Sequence, residues 1–157
     1  MHIRLSRASM LGLALSFLLA SSAFASAIVG QSAPDFTATD MNGKQVKLSD
    51  FKGKYVVLEW LNHGCPFVGK HYGSGNMQAL QKEWTDKGVV WLSVISSAAG
   101  EQGHSDGQKA KADYGAKGSK ATTVLIDSGG KIGKTYGAAT TPHMYVIGPN
   151  GNLLYNG

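Results

Sequence analysis

Beyond its first 27 residues the chain contains one cysteine, Cys65, no arginine and four prolines. A single cysteine excludes an internal disulfide, the staple on which small secreted domains often rely. In an oxidising compartment it leaves Cys65 two fates: a buried inert residue, or a free thiol that reacts with something outside the chain. The missing arginine excludes a guanidinium, with its fixed fork of donors, from any site in this part of the molecule. Removing Arg4 and Arg7 from the fifteen basic residues leaves 13 lysines against 10 acidic residues, a net charge of +3. The lysines are scattered and form no dense basic stripe, so nucleic-acid binding has no electrostatic footprint here. No apolar run reaches the roughly 20 residues that span a bilayer.

What the N-terminus does contain is ordered. "MHIRLSR" is short and basic, "MLGLALSFLLA" is apolar, and "SSAFASA" is small and holds two A-x-A sites. That order predicts a secretory signal peptide over residues 1–27, cleaved after Ala25 or Ala27. The product is expected to be periplasmic or secreted, with no stable membrane anchor. Residues 28–157 suit one domain with one core.

Along that domain, Asn42-Gly43 marks a tight turn and Ser49 to Gly53 a short helical turn. "YVVLEWL" and "VVWLSVISS" read as buried strands. Pro66 suits the first turn of a short helix through His71 and Tyr72. "MQALQKEWTDKG" forms a second helix, with Asn76 as its expected cap and Gly88 as its stop. A glycine-rich loop around His104 is too polar for the core, and "KAKADYGAKG" gives a weak surface helix. A strand, a short helix from Ile132 to Tyr136 and a hairpin turning at Pro149-Asn150-Gly151 complete the chain. The order predicts an α/β fold with a central mixed sheet flanked by helices.

Cys65 falls where a buried strand meets a helix N-terminus. Unpaired N–H groups and the macrodipole there stabilise a thiolate, which makes the thiol more acidic and more nucleophilic. Far off in sequence, Thr141-Pro142 stands just before a strand, a candidate for a cis bond. Trp84 and Trp91 are expected in the core. Trp60 either packs there too or walls the cysteine pocket. Glu59 is the odd charge in an apolar strand; it faces the sheet edge or water, or sits buried near the thiol and moves a proton. His63, His71 and His143, with Cys65, offer a possible copper or zinc set, whereas His104 is expected to be solvated.

Four stretches together carry a resemblance: "APDF", "YVVLEWL", "GCPF" and "TTPHMYVIGPNG". The chain resembles the thioredoxin-like superfamily in its secreted redoxin branch. "GCPFVGKHYGSGNMQALQKEW" is most similar to peroxiredoxin-like envelope proteins related to alkyl-hydroperoxide reductases and thiol-specific antioxidants. The resemblance implies a thioredoxin-like fold without cofactor, with Cys65 as nucleophile and Pro142, beside Thr141, in a cis-proline loop facing it. Asn62, His63, Trp60 and His143 would support that site. A peroxide or a protein disulfide would be the electrophile and an external thiol the reductant.

The departures from the family pattern are specific. Val68 stands where a dithiol enzyme has its second cysteine. Leu58 and Asn62 replace the proline and threonine of a peroxiredoxin motif, and the peroxide-binding arginine is absent. The family fold closes with a helix on the sheet, whereas "LLYNG" follows a strand directly, so the C-terminal helix is expected to be missing and the 28–157 domain truncated. The competing reading is a non-catalytic thioredoxin-fold binding protein, or a Cys/His copper-binding protein.

Overall fold

The computed structural model of the chain describes residues 27–157. The expected signal segment lies, apart from Ala27, outside the described residues. The elements run β1 (Thr37–Asp40), β2 (Gln45–Lys47), a 3-10 turn (Leu48–Phe51), β3 (Val56–Trp60), α1 (Pro66–Gly73), α2 (Asn76–Asp86), β4 (Val90–Ile95), α3 (Gly107–Ala116), β5 (Thr123–Ile126), α4 (Lys131–Tyr136), β6 (His143–Ile147) and β7 (Leu153–Asn156). Seven strands form one sheet in the order β2-β1-β5-β4-β3-β6-β7. The central β5, β4 and β3 run parallel, and β1, β6 and β7 pair antiparallel to their neighbours. This is the mixed sheet of the thioredoxin-like fold. The last element among the described residues is β7, with no helix after it.

The strands at the centre are buried on both faces, and their near-continuous apolar runs follow from that. Side chains alternate across the pleat. Val56, Leu58 and Trp60 of β3 join Val90, Leu92 and Val94 of β4 in one core cluster, closed by Ile132 and Tyr136 of α4. Val57, Trp91 and Ile95 face the other way, against Val68 and Tyr72 of α1, Met77 of α2 and Ala110 of α3. Leu58, Leu92 and Leu125 are fully buried; truncating any of them to alanine costs about 2–5 kcal/mol.

Two expectations on α2 need correction. The cap position is held by Gly75 in the left-handed region, at φ 75°, where a side chain would be strained. Asn76 is the first helical residue, and its amide meets His71 Nδ1 at 3.0 Å. Trp84 does not fill the core but is 42% exposed. The helix buries Met77 and Gln81, which share one stripe at i, i+4. Trp84 falls on the flank of that stripe, where it lines an open apolar groove with Tyr55, Leu80 and Val89. The Lys87 ammonium sits 4.5 Å from its ring centroid. Trp91, by contrast, is buried as expected.

Candidate functional site

The carboxyl end of β3 releases the chain into a tight loop that aims Cys65. The Asn62 side chain accepts from Gly64 N at 2.8 Å, and the Cys65 N–H donates to the Asn62 carbonyl at 2.9 Å. Cys65 then caps α1, with β-region angles of φ −78° and ψ 127°, and Pro66 fills the first helical turn. Its thiol is half-buried and donates to the Thr141 carbonyl at 3.1 Å. Thr141 precedes Pro142 across a cis peptide bond. Residues 76 positions apart in sequence, Cys65 and Thr141, are thus in contact.

Electrostatics at the thiol favour the anion. The side chain of Thr141 and then the backbone N–H groups of Val68 and Phe67 hold the thiol below its ordinary value, against a smaller opposing push from burial. The Thr141 carbonyl works the other way, since an S–H that donates is a neutral thiol. The N–H groups at the helix start and the hydroxyl outweigh it.

Trp60 contributes an edge rather than a wall. Its ring packs between Tyr136 and Tyr145 at centroid distances of 5.6 and 5.1 Å, and its indole N–H donates to Ser96 Oγ at 3.0 Å. With Leu61, Asn62, Ser96, Ala138 and Thr141 it lines a shallow cleft of about 210 Å³ that adjoins the thiol through Thr141. The glycine-rich loop around His104, expected to be too polar for the core, packs against the cysteine loop through Asn62. Asn62 donates to the Gln102 carbonyl at 3.1 Å. Gly103, at φ 82°, allows this approach, because a Cβ there would collide with the Asn62 amide. His104 is half-buried with Nδ1 3.1 Å from the Ser97 carbonyl. The sequence carried a signal for this loop in its glycines, but no indication of its partner.

The histidines do not converge. His63 lies edge-on to Tyr72 at 5.7 Å, and burial holds its imidazole below the ordinary value, so at neutral pH it is no cation beside the thiol. His71 turns to Asn76. His143 meets Asn156 Oδ1 at 2.7 Å and stacks on Tyr145 at 4.6 Å. Among the described residues, no three His, Cys, Asp or Glu side chains lie together as a metal set.

Glu59 is neither at a sheet edge nor in water. It is fully buried on the α1–α3 face of the sheet, paired in register with Ser93 of β4 and Met144 of β6. Tyr72 Oη donates to its Oε1 at 2.8 Å. Trp91 Nε1, Gln81 Nε2 and Ser93 Oγ donate to Oε2 at 2.7, 3.0 and 3.2 Å. Gln81 is oriented by Lys120 N and Ser119 Oγ, which donate to its Oε1. Burial pushes the Glu59 carboxyl up, and the four donors oppose it without cancelling it. None of its hydrogen bonds reaches the thiol. It ties α1, α2 and β4 to β3, a role sequence reasoning missed because its partners lie 13 to 34 positions away.

Comparison with known proteins agrees with this architecture. The profile described as AhpC/TSA family matches residues 29–156. The thiol-disulfide oxidoreductase ResA of Bacillus thuringiensis subsp. konkukian is 33% identical over 126 residues, which cover 80% of this chain and 67% of that protein. An uncharacterized conserved protein from Geobacillus kaustophilus superposes with a TM-score of 0.75 at 26% identity, over 83% of this chain and 69% of the other. The exposed lipoprotein thioredoxin of Streptococcus pneumoniae gives a TM-score of 0.61 at 29% identity, over 78% and 87% of the two chains. The chain belongs to the AhpC/TSA family, with a thioredoxin-like redox fold.

Proposed function

From that membership, we propose that the protein is a single-cysteine thiol oxidoreductase of the cell envelope, with Cys65 as nucleophile and disulfides as its principal electrophile. The observation that carries this is the placement of the Cys65 thiol at the start of α1, facing Thr141 and cis-Pro142, with backbone N–H groups that favour its thiolate. The thiolate attacks one sulfur of a disulfide, a new S–S bond forms to Cys65, and the other sulfur leaves as a thiolate. An external thiol then attacks the mixed disulfide and regenerates Cys65. Asn62 and Thr141 hold the thiol in position; Pro142 shapes the loop facing it; Trp60 lines the adjoining cleft, while His63 and His143 turn to Tyr72 and Asn156.

Peroxide is the second electrophile, and attack on it yields a sulfenic acid that again needs an external thiol. It ranks second because the site has no arginine, His63 is neutral, and Leu58 and Asn62 replace the motif residues of a peroxide pocket. Two relatives named thiol-disulfide oxidoreductase or thioredoxin support the disulfide reading. The N-terminal sequence supports a periplasmic or secreted location. The copper-binding alternative has no convergent ligand set behind it, since each histidine turns to a partner of its own.

The test is a mass measurement after one equivalent of a small disulfide, and separately of peroxide. Wild type is expected to form a mixed disulfide with the first, and to gain one oxygen or dimerise with the second. Val68, only 1% exposed, is one turn along α1, so Val68→Cys is expected to convert either adduct into an internal disulfide, two hydrogens lighter than the dithiol. An unmodified wild-type mass with both reagents overturns the proposal.

A further inference from the structure

A polypeptide joined to Cys65 through sulfur comes within reach of the outer face of α1, and that face carries an unshielded aromatic ring. Phe67 is 70% exposed, the most exposed of the large apolar side chains among the described residues. The others with high exposure lie elsewhere: Tyr55, Leu80 and Trp84 around the apolar groove beside the start of β3, Leu154 and Tyr155 on β7, Ile28 and Val29 near the N-terminus. Around Phe67 the face is smooth. Pro66, Gly69, Lys70 and Gly73 are exposed, and a Cβ at Gly69 or Gly73 would meet nothing.

We infer that Phe67 is a specificity-determining residue that selects polypeptide disulfides bearing an apolar side chain next to the attacked cysteine. This rests on the thiol–disulfide reading of Cys65. The geometry is one of reach. Two cysteines joined by a disulfide hold their Cα atoms about 5.5–6 Å apart. Phe67 lies two residues into the helix from Cys65, about 5.4 Å away at its Cα, and its backbone N–H faces the same sulfur. A partner residue adjacent to the captured cysteine lies one Cα step, about 3.8 Å, further along its chain. Its side chain therefore comes to rest over the Phe67 ring, and apolar surface on both is withdrawn from water. A peroxide or a small hydrophilic disulfide is too short to touch the ring.

The exchange itself is unchanged. The Cys65 thiolate displaces one partner sulfur as a thiolate, and a dithiol reductant outside the chain supplies the electrons that free Cys65. The experiment measures the rate of mixed-disulfide formation with three probes. Two are synthetic peptides carrying one disulfide, flanked by leucine in the first and by serine in the second. The third is hydroxyethyl disulfide. Wild type is expected to react about three- to tenfold faster with the leucine peptide than with the serine peptide. Phe67→Ser is expected to abolish the preference, Phe67→Leu to keep most of it, and both to react with hydroxyethyl disulfide as wild type does. Equal rates for the two peptides with wild type, or a preference that survives Phe67→Ser, overturn the inference while leaving the thiol chemistry standing. Inertness of wild type toward all three disulfides overturns the thiol–disulfide reading, and the inference with it.

Discussion

Glu59 and Cys65 lie six positions apart around the end of β3, and the fold handles their ionisable groups in opposite ways. Glu59 is sealed, fully buried, and surrounded by four donors from α1, α2 and β4, with no cation among them. Cys65 is half-buried, held by loop backbone, and favoured as an anion by a helix start and one side chain. A carboxylate enclosed by four donors from three elements has little left to offer a substrate. It serves as a joint. The group with an open approach and few fixed contacts is the one that can react. Charge in an apolar strand therefore marks architecture here, and a small, nearly apolar residue carries the proposed chemistry.

The sharpest way to break the comparison is to remove each group in turn. Cys65→Ser is expected to abolish alkylation and mixed-disulfide formation altogether, with little change in the midpoint of urea unfolding. Should the serine variant unfold at markedly lower urea, the thiol is a packing element and the contrast with Glu59 collapses.

Glu59→Ala is expected to do the reverse. It strands the Trp91 indole N–H, the Tyr72 hydroxyl, the Gln81 amide and the Ser93 hydroxyl in the interior. We expect a loss of about 3–5 kcal/mol by denaturant titration, with the alkylation rate of the remaining folded protein close to wild type. A folded Glu59→Ala whose thiol no longer reacts would instead connect the two sites chemically.

Glu59→Gln keeps the shape and removes the titration. Burial raises the folded-state pKa of Glu59 above its ordinary 4.5. The folded protein therefore binds this proton more tightly than the unfolded chain does. Stability from the group is fully present below pH 4.5 and is lost as pH rises through the raised folded value. Measured against Glu59→Gln, wild type should lose stability as pH rises from 4.5, by no more than about 1.4 kcal/mol per pH unit for one proton. A difference that is flat with pH would mean that the four donors match the carboxylate well enough to cancel its burial.

Much of the fold was legible because its signals are local. The β-branched and aromatic runs fell on β3 and β4, Pro66 on the first turn of α1, Asn42-Gly43 on the β1–β2 turn, and Thr141-Pro142 on a cis bond beside the cysteine. What escaped is relational. Helical spacing placed Trp84 near the core stripe but could not tell stripe from flank, and the residue lies on the flank. Composition made the loop around His104 look solvated, yet Gly103 admits Asn62 because no Cβ stands in the way. Glu59 was legible as an anomaly. Its resolution depended on Tyr72, Gln81, Trp91 and Ser93 arriving from other elements, and no window of sequence contains them all.

The finest distinction concerns the two opposing influences of a single residue, Thr141, on the thiol. Its carbonyl accepts the S–H at 3.1 Å and so favours the neutral form. Its side chain is the largest influence holding the thiol below the ordinary 9.0, ahead of the N–H groups of Val68 and Phe67. Thr141→Val keeps the carbonyl, the branched shape and the helix N–H groups, and deletes only the hydroxyl. The pH at which iodoacetamide alkylation reaches half its maximal rate is therefore expected to move upward toward 9.0 without reaching it, since the N–H groups remain. At high pH, where every thiol is ionised, the rate should match wild type, because access to the sulfur is unaltered. A midpoint that stays put assigns the acidity of Cys65 to the start of α1 alone. A midpoint that rises together with a lower limiting rate would show that the substitution moved the loop, in which case Thr141 positions the thiol and does not tune it.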